Sequence, residues 1–475
     1  MRYRGIVYSV LIVSCFVAFH FLGVFARAEN ESFPADTAAR IEQICSDVER
    51  IRGLKFKRKV GFEVQGMEEF REYAVESFKR QMKEGEAEAY VAGLVRIGAL
   101  KNPVDLMSVL LSLAESQAAA HYDPYDEKYC LIMAGMPQLF LDVVSSHELC
   151  HALQDQHFDL EEFVYDDETL ENNSDAESAR QCVIEGEATL VMTIWAVMSQ
   201  MSMQDTSTAE TAASISIEMQ KSMDLAGMFA LSDSSMQSMD VDPEFMEEAR
   251  KELEKLPVFF VETLIAAYIE GAAMIDYVKK KRKGWRGVSR LYSDPPVSTE
   301  QVLHPRKLMD PRDRPRDAEV EGLEKLLPEG WRVTEHNVLG ELGIRTFLKV
   351  WAEEPAAESA AAASAAAGWG GDRYYLCEDA AGGDSLLVWK TVWDTRADAS
   401  EFVTAYRILI SRRFPHLRKS GRSEASGRWV YQAWEAGTGR YIKVMRDGTT
   451  VGIMDTTSRP LLDLLWSNTP ARSLE

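Results

Sequence analysis

Apolar positions gather in four long runs, at residues 6–25, 137–153, 182–198 and 257–278, set in otherwise polar and charged sequence. In the second run Leu139, Leu141, Val143, Val144, Leu149 and Leu153 fall on more than one side of a helical wheel. That pattern predicts a buried helix, and Pro137 suits its first turn. The third run, CVIEGEATLVMTIWAVM, predicts a second buried helix carrying Glu185 and Glu187. The fourth is long enough to cross a bilayer, but Glu262, Glu270 and Asp276 inside it make it a core helix instead. Before the second run the pattern predicts helices over 36–52, 67–82, 89–100 and 103–119, a strand near 60–64, a turn at Tyr122-Asp123-Pro124, and a strand over 128–133. From 341 the chain begins as a helix and turns alanine-rich; beyond 373 it alternates strands near 374–377, 386–393, 429–434 and 441–445 with one helix over 397–414. The expected class is α+β: a mostly helical domain with a small sheet over 29–340, a helical connector over 341–372, and a small α+β domain over 373–475.

The second run contains His147-Glu148-Leu149-Cys150-His151, a HExxH pattern. Residues four apart lie on one helical face, so His147 and His151 can present two imidazole nitrogens to one metal ion. Glu148 follows the first ligand directly, where its carboxylate can take a proton from a water on that metal. Zinc needs a third protein ligand and leaves a fourth position for water. Glu185 is the first candidate, because a glutamate inside an apolar helix requires a partner. Glu187 is the alternative, and side chains two apart on a helix cannot ligate equally.

At this point the chain resembles the gluzincin type of zinc metallopeptidase. There a HExxH is followed, on another helix, by a glutamate ligand that several families, bacterial collagenases among them, carry in a Glu-Gly-x-Ala sequence. Glu185-Gly186-Glu187-Ala188 has that form, 34 residues after His151. The blocks LKFKRKVGFEV, HYDPYDEKYCLI, YIEGAAMIDYV, PPVSTEQVLHPRK and GWGGDRYYL also resemble, in this order, a family of secreted bacterial and archaeal HExxH proteins. The resemblance implies a zincin-like metallopeptidase domain, a Zn2+ cofactor and a polypeptide substrate. It further implies that the strand before the active helix is a sheet edge along which substrate lies. His304 or Tyr292 is the expected donor to the oxyanion. One departure is Thr189, which stands where many gluzincins carry an aspartate that orients a histidine. Asp155, Asp175 and Gln181 are the candidates for that duty.

The first apolar run, flanked by Arg2 and Arg4 and followed by Ala26-Arg27-Ala28, reads as an export signal over 1–28. Two alternatives stay open: a retained membrane anchor, given the run's length, and a lipoprotein box at Ile12-Val13-Ser14-Cys15. Removing 1–28 moves the net charge from −22 to −25, since Arg2, Arg4 and Arg27 leave and no acidic residue does. That surface repels nucleic acid and excludes it as a partner; oligomeric state stays open. Five cysteines remain, Cys45, Cys130, Cys150, Cys182 and Cys377, with no disulfide spacing; Cys150 points off the ligand face and reads as an inert buried thiol. The methionine-rich stretch after Trp195 reads as a helical insertion, or as a lid over the cleft. Alternatives to a peptidase are a non-catalytic binding protein with zinc as a staple and a zinc hydrolase of non-peptide amides or esters.

Overall fold

The computed structural model describes residues 37–468 apart from 118, 133–137, 166–169, 202–204, 224–226, 228–250, 252–253, 426–427 and 436–438. Residues 1–28, expected as an export signal, Pro137 and most of the methionine-rich stretch lie outside the described residues. The elements run α1 (Thr37–Arg52), β1 (Gly61–Val64), α2 (Met67–Gln81), α3 (Glu86–Ile97), α4 (Leu106–Gln117), β2 (Ala120–Asp123), β3 (Lys128–Leu131), α5 (Gln138–Phe158), α6 (Leu160–Tyr165), α7 (Ser174–Gln200), α8 (Thr206–Lys221) and α9 (Val258–Lys281). After short helical turns at Trp285–Ser289 and Thr299–Leu303 come β4 (Trp331–Asn337), α10 (Gly340–Val350), α11 (Pro355–Ala366), β5 (Trp369–Asp379), β6 (Ser385–Trp393), α12 (Arg396–Arg413), β7 (Arg418–Ala425), β8 (Arg428–Glu435), β9 (Arg440–Asp447), β10 (Thr450–Thr456) and α13 (Arg459–Asn468). The class is α+β, as the apolar pattern predicts.

Two helices form the centre of the N-terminal part. α7 and α9 are long and apolar enough to cross a bilayer, yet 89% and 78% of their most apolar windows are buried inside the fold. They cross at two glycines. A Cβ on Gly186 would lie 2.2 Å from the carbonyl carbon of Gly271, and a Cβ on Gly271 would lie 2.4 Å from Cys182 O. The backbones therefore touch where any side chain would part them. α5 packs on α7, and α1 packs on both, so the HExxH helix and the Glu-Gly-Glu helix are neighbours within one core.

The small sheet has the order β1-β3-β2. β3 pairs in parallel with β1 and antiparallel with β2. The strand expected at the edge, over 128–133, is thus the central one. The turn lies over 124–127, since Tyr122 and Asp123 stay in β2; it folds β2 back against β3, and β1 covers the other side, which leaves β2 as the edge beside α5.

The larger sheet is antiparallel with the order β4-β5-β6-β10-β9-β8-β7. It begins at Trp331, before residue 373, and the stretch expected as a connector forms α10 and α11 between β4 and β5. These helices pack on each other and near α12 under the sheet, where Phe347, Trp389, Trp393, Phe402 and Tyr406 form an aromatic cluster. Asp372 explains part of the GWGGDR block. Its carboxylate accepts from Leu339 N (3.1 Å), Gly340 N (2.9 Å), Trp369 Nε1 (2.9 Å) and Trp389 Nε1 (2.9 Å). Four N–H donors on one buried carboxylate tie β5 and β6 to the start of α10.

Candidate metal centre

The sequence places His147 and His151 one turn apart on α5, and their rings sit edge to face with centroids 4.6 Å apart. Glu185 comes from α7, held against α5 through the core. Its Oε2 lies 3.1 Å from His147 Nε2 and 3.5 Å from His151 Nε2. One donor atom from each of the three lies within 4.8 Å of the others. The other carboxylate oxygen, Oε1, accepts from Gln181 Nε2 at 2.8 Å. Gln181 therefore orients the carboxylate and not an imidazole.

These residues fit a zinc ion. A tetrahedral ion with bonds of about 2.0–2.1 Å holds its ligand atoms roughly 3.3–3.5 Å apart, which matches the separations around Oε2. His151 Nε2 is buried and makes no hydrogen bond, although it faces a carboxylate. Burial, helped by the second imidazole, pushes His147 down to about 4, so its ring is neutral near pH 7. Burial by itself works to raise Glu185; the two imidazoles outweigh it and hold the carboxyl at about 2. Two imidazoles and one carboxylate are the donor set of a catalytic zinc site.

Glu148 is fully buried, and its Oε2 accepts from Tyr122 N at 2.8 Å. The donor belongs to the edge strand β2, so the backbone beside the site aims the carboxylate. The Tyr122 hydroxyl in turn donates to Asp155 Oδ2 at 2.8 Å, which places Asp155 in the support of β2 rather than on an imidazole. Asp175 accepts from Thr299 N at 2.9 Å and likewise stays away from the histidines.

The alternative ligand Glu187 does not reach the cluster. It points to the other side of α7, where Arg52 of α1 pairs with its Oε1 and the Tyr292 hydroxyl donates to its Oε2 at 3.0 Å. Arg52 is 1% exposed and its guanidinium lies 5.0 Å from the Trp285 ring. Tyr292 stacks on Phe158 with centroids 3.9 Å apart, so its hydroxyl serves this ion pair. His304 donates from Nε2 to Glu341 Oε1 at 2.8 Å, and that bond raises its pKa. Neither Tyr292 nor His304 joins the His147–His151–Glu185 cluster. Cys150 is buried near the Arg52–Glu187 pair, and burial pushes its thiol well up, as expected of an inert cysteine.

Two residues that the sequence reading missed border the site. The ring of Tyr268, on α9, lies 5.9 Å from the His147 ring. Its signal is position: it stands three before Gly271, on the face of α9 turned to α7. Gln154 Oε1 lies 2.8 Å from His151 Nδ1. Its signal is the spacing of three from His151 along one helix.

Residues 329–465 match a family model described as "Domain of unknown function (DUF8575)". It spans β4 to α13, the larger sheet with its helices, and leaves the histidine–glutamate cluster outside. No curated protein and no solved structure matches the chain.

Proposed function

We propose that the chain is an exported zinc-dependent peptidase with a zincin-like N-terminal domain. The observation that carries the reading is the convergence of His147 Nε2, His151 Nε2 and Glu185 Oε2 within 4.8 Å, two elements apart in the chain, next to a buried Glu148. A zinc ion held by His147, His151 and Glu185 would supply Lewis acidity toward a water and a substrate carbonyl. Glu148 accepts the proton and passes it to the leaving amine; the Tyr122 N–H keeps its carboxylate in one orientation meanwhile. Gln181 donates to Oε1 of Glu185, which leaves Oε2 as the oxygen turned to the two imidazoles. β2 is the edge strand, but its four residues are buried and the Tyr122 N–H is taken by Glu148, so a peptide can add alongside it only where the covering segments part. His147, Glu148 and His151 have no exposed surface, so substrate entry requires neighbouring segments to part.

That burial favours a second reading, a binding protein in which zinc is a structural staple. It needs a fourth protein ligand. Among the described residues, none joins the three. Digestion of casein by the full chain, with and without a chelator, and by Glu148→Gln, separates the two. The peptidase reading expects hydrolysis by zinc-loaded wild type only, at least 100-fold above the variant, in line with removal of a general base. Equal hydrolysis by Glu148→Gln overturns the role given to Glu148, and none by a zinc-loaded wild type favours the staple.

A further inference from the structure

The residue that orients His151 is an amide on its own helix. Gln154 is 1% exposed, and its Nε2 donates to Ile184 O at 3.0 Å while its Oε1 faces His151 Nδ1 at 2.8 Å. A backbone carbonyl only accepts, so the NH2 group must face Ile184 and the oxygen must face the imidazole. An oxygen acceptor at that distance requires the hydrogen on Nδ1. In the neutral ring the lone pair is then on Nε2, the nitrogen turned to Glu185 Oε2 at 3.5 Å. Ile184 is the residue before Glu185. One side chain therefore sets the tautomer of one ligand and holds the backbone of another.

We propose that Gln154 is a positioning residue that selects the metal-binding tautomer of His151 and locks α5 to α7 at Glu185. It takes over the duty of an acidic partner that Thr189 does not perform; Thr189 Oγ1 is buried without a hydrogen bond. The proposal rests on the zinc reading for its purpose but not for its geometry. A carboxylate in place of Gln154 would accept from Nδ1 yet meet Ile184 O with a second acceptor, so only the amide serves both partners.

The test uses the full chain with 15N-labelled histidine, wild type against Gln154→Leu, with circular dichroism to establish that both fold. Zinc affinity is measured by chelator competition and the His151 tautomer by long-range 1H–15N spectra of the metal-free protein. The proposal expects the Nδ1–H form of His151 in wild type, its loss in Gln154→Leu, and a zinc affinity lowered about 10–100-fold, the usual effect of removing an outer-shell partner. The same tautomer in both proteins, or undiminished zinc affinity in Gln154→Leu, overturns it. Should Gln154→Leu not fold, Gln154→Glu keeps an acceptor at Nδ1 and is expected to keep the tautomer; a changed tautomer there overturns the proposal too. If wild type binds no zinc, the metal reading fails on its own, and the tautomer comparison still decides the role of Gln154.

Discussion

Gly186→Ala probes the contact on which the site is built. A methyl at Gly186 would lie 2.2 Å from Gly271 C, 2.5 Å from its oxygen and 2.6 Å from Ala272 N. Non-bonded carbons rest at about 3.5–4.0 Å, so α7 and α9 must separate by roughly 1.3–1.8 Å. All three obstructing atoms are backbone, and no rotamer change relieves them. Overpacking of this kind costs about 1–3 kcal/mol, and a rigid obstruction argues for the upper end. At roughly 2–4 °C per kcal/mol for a unit of 150–250 residues, the expected fall in Tm is about 6–12 °C. Glu185 adjoins the glycine, and a metal site tolerates only about 0.2 Å of ligand displacement, so zinc affinity should fall with it. Differential scanning calorimetry and chelator competition on the variant measure the two effects. A variant melting within about 1 °C of wild type would refute the claim that the crossing is closed to a methyl.

Glu185 and Glu187, two residues apart, should respond oppositely. Glu187→Gln leaves Arg52 buried without its counter-charge and should cost about 3–5 kcal/mol while zinc remains bound; Glu185→Gln should lose zinc. Calorimetry of the metal-free proteins with metal analysis reads both, and matching losses would mean the two glutamates share one task. Burial raises Glu177 to about 8, and its Oε2 makes no hydrogen bond. The native state then holds this proton more tightly than the unfolded chain, so the stabilisation is full below about pH 4 and fades as pH rises to 8. Glu177→Gln should flatten the fall of Tm between pH 5 and 8, and an unchanged slope would show that Glu177 is not its source. Chelation should lower the Tm of wild type by an amount that grows with zinc concentration and should leave Glu185→Gln unmoved.

Much of the site was legible because its chemistry is local. His147 and His151 are one turn apart, and four-residue spacing on an apolar helix fixes their common face without tertiary information. Glu185 required a long-range contact, and the cost of burying a carboxylate pointed to it. The same argument applied to Glu187 and could not tell which partner each had; Arg52, 135 residues away, answered a need that a metal would also have met. His304 and Tyr292 are candidates by residue type, and residue type says nothing about direction: one faces Glu341, the other Glu187. The central place of β3 was hidden because strand order depends on β1, more than 60 residues earlier. In the C-terminal part β7, RKSGRSEA, has almost no apolar alternation, and β4 lies apart from its neighbour β5 by two helices, so both escaped a reading based on pattern. Gln154 escaped because an amide on a helix is ordinarily a solvated side chain, and only the Ile184 carbonyl gives it a fixed orientation.

The central claim is that His147, His151 and Glu185 hold one zinc ion. Elemental analysis of the purified chain, wild type beside Glu185→Gln, tests it most directly. The account predicts about one zinc per chain in wild type and little in the variant. No zinc in wild type, or equal zinc in both proteins, would contradict it.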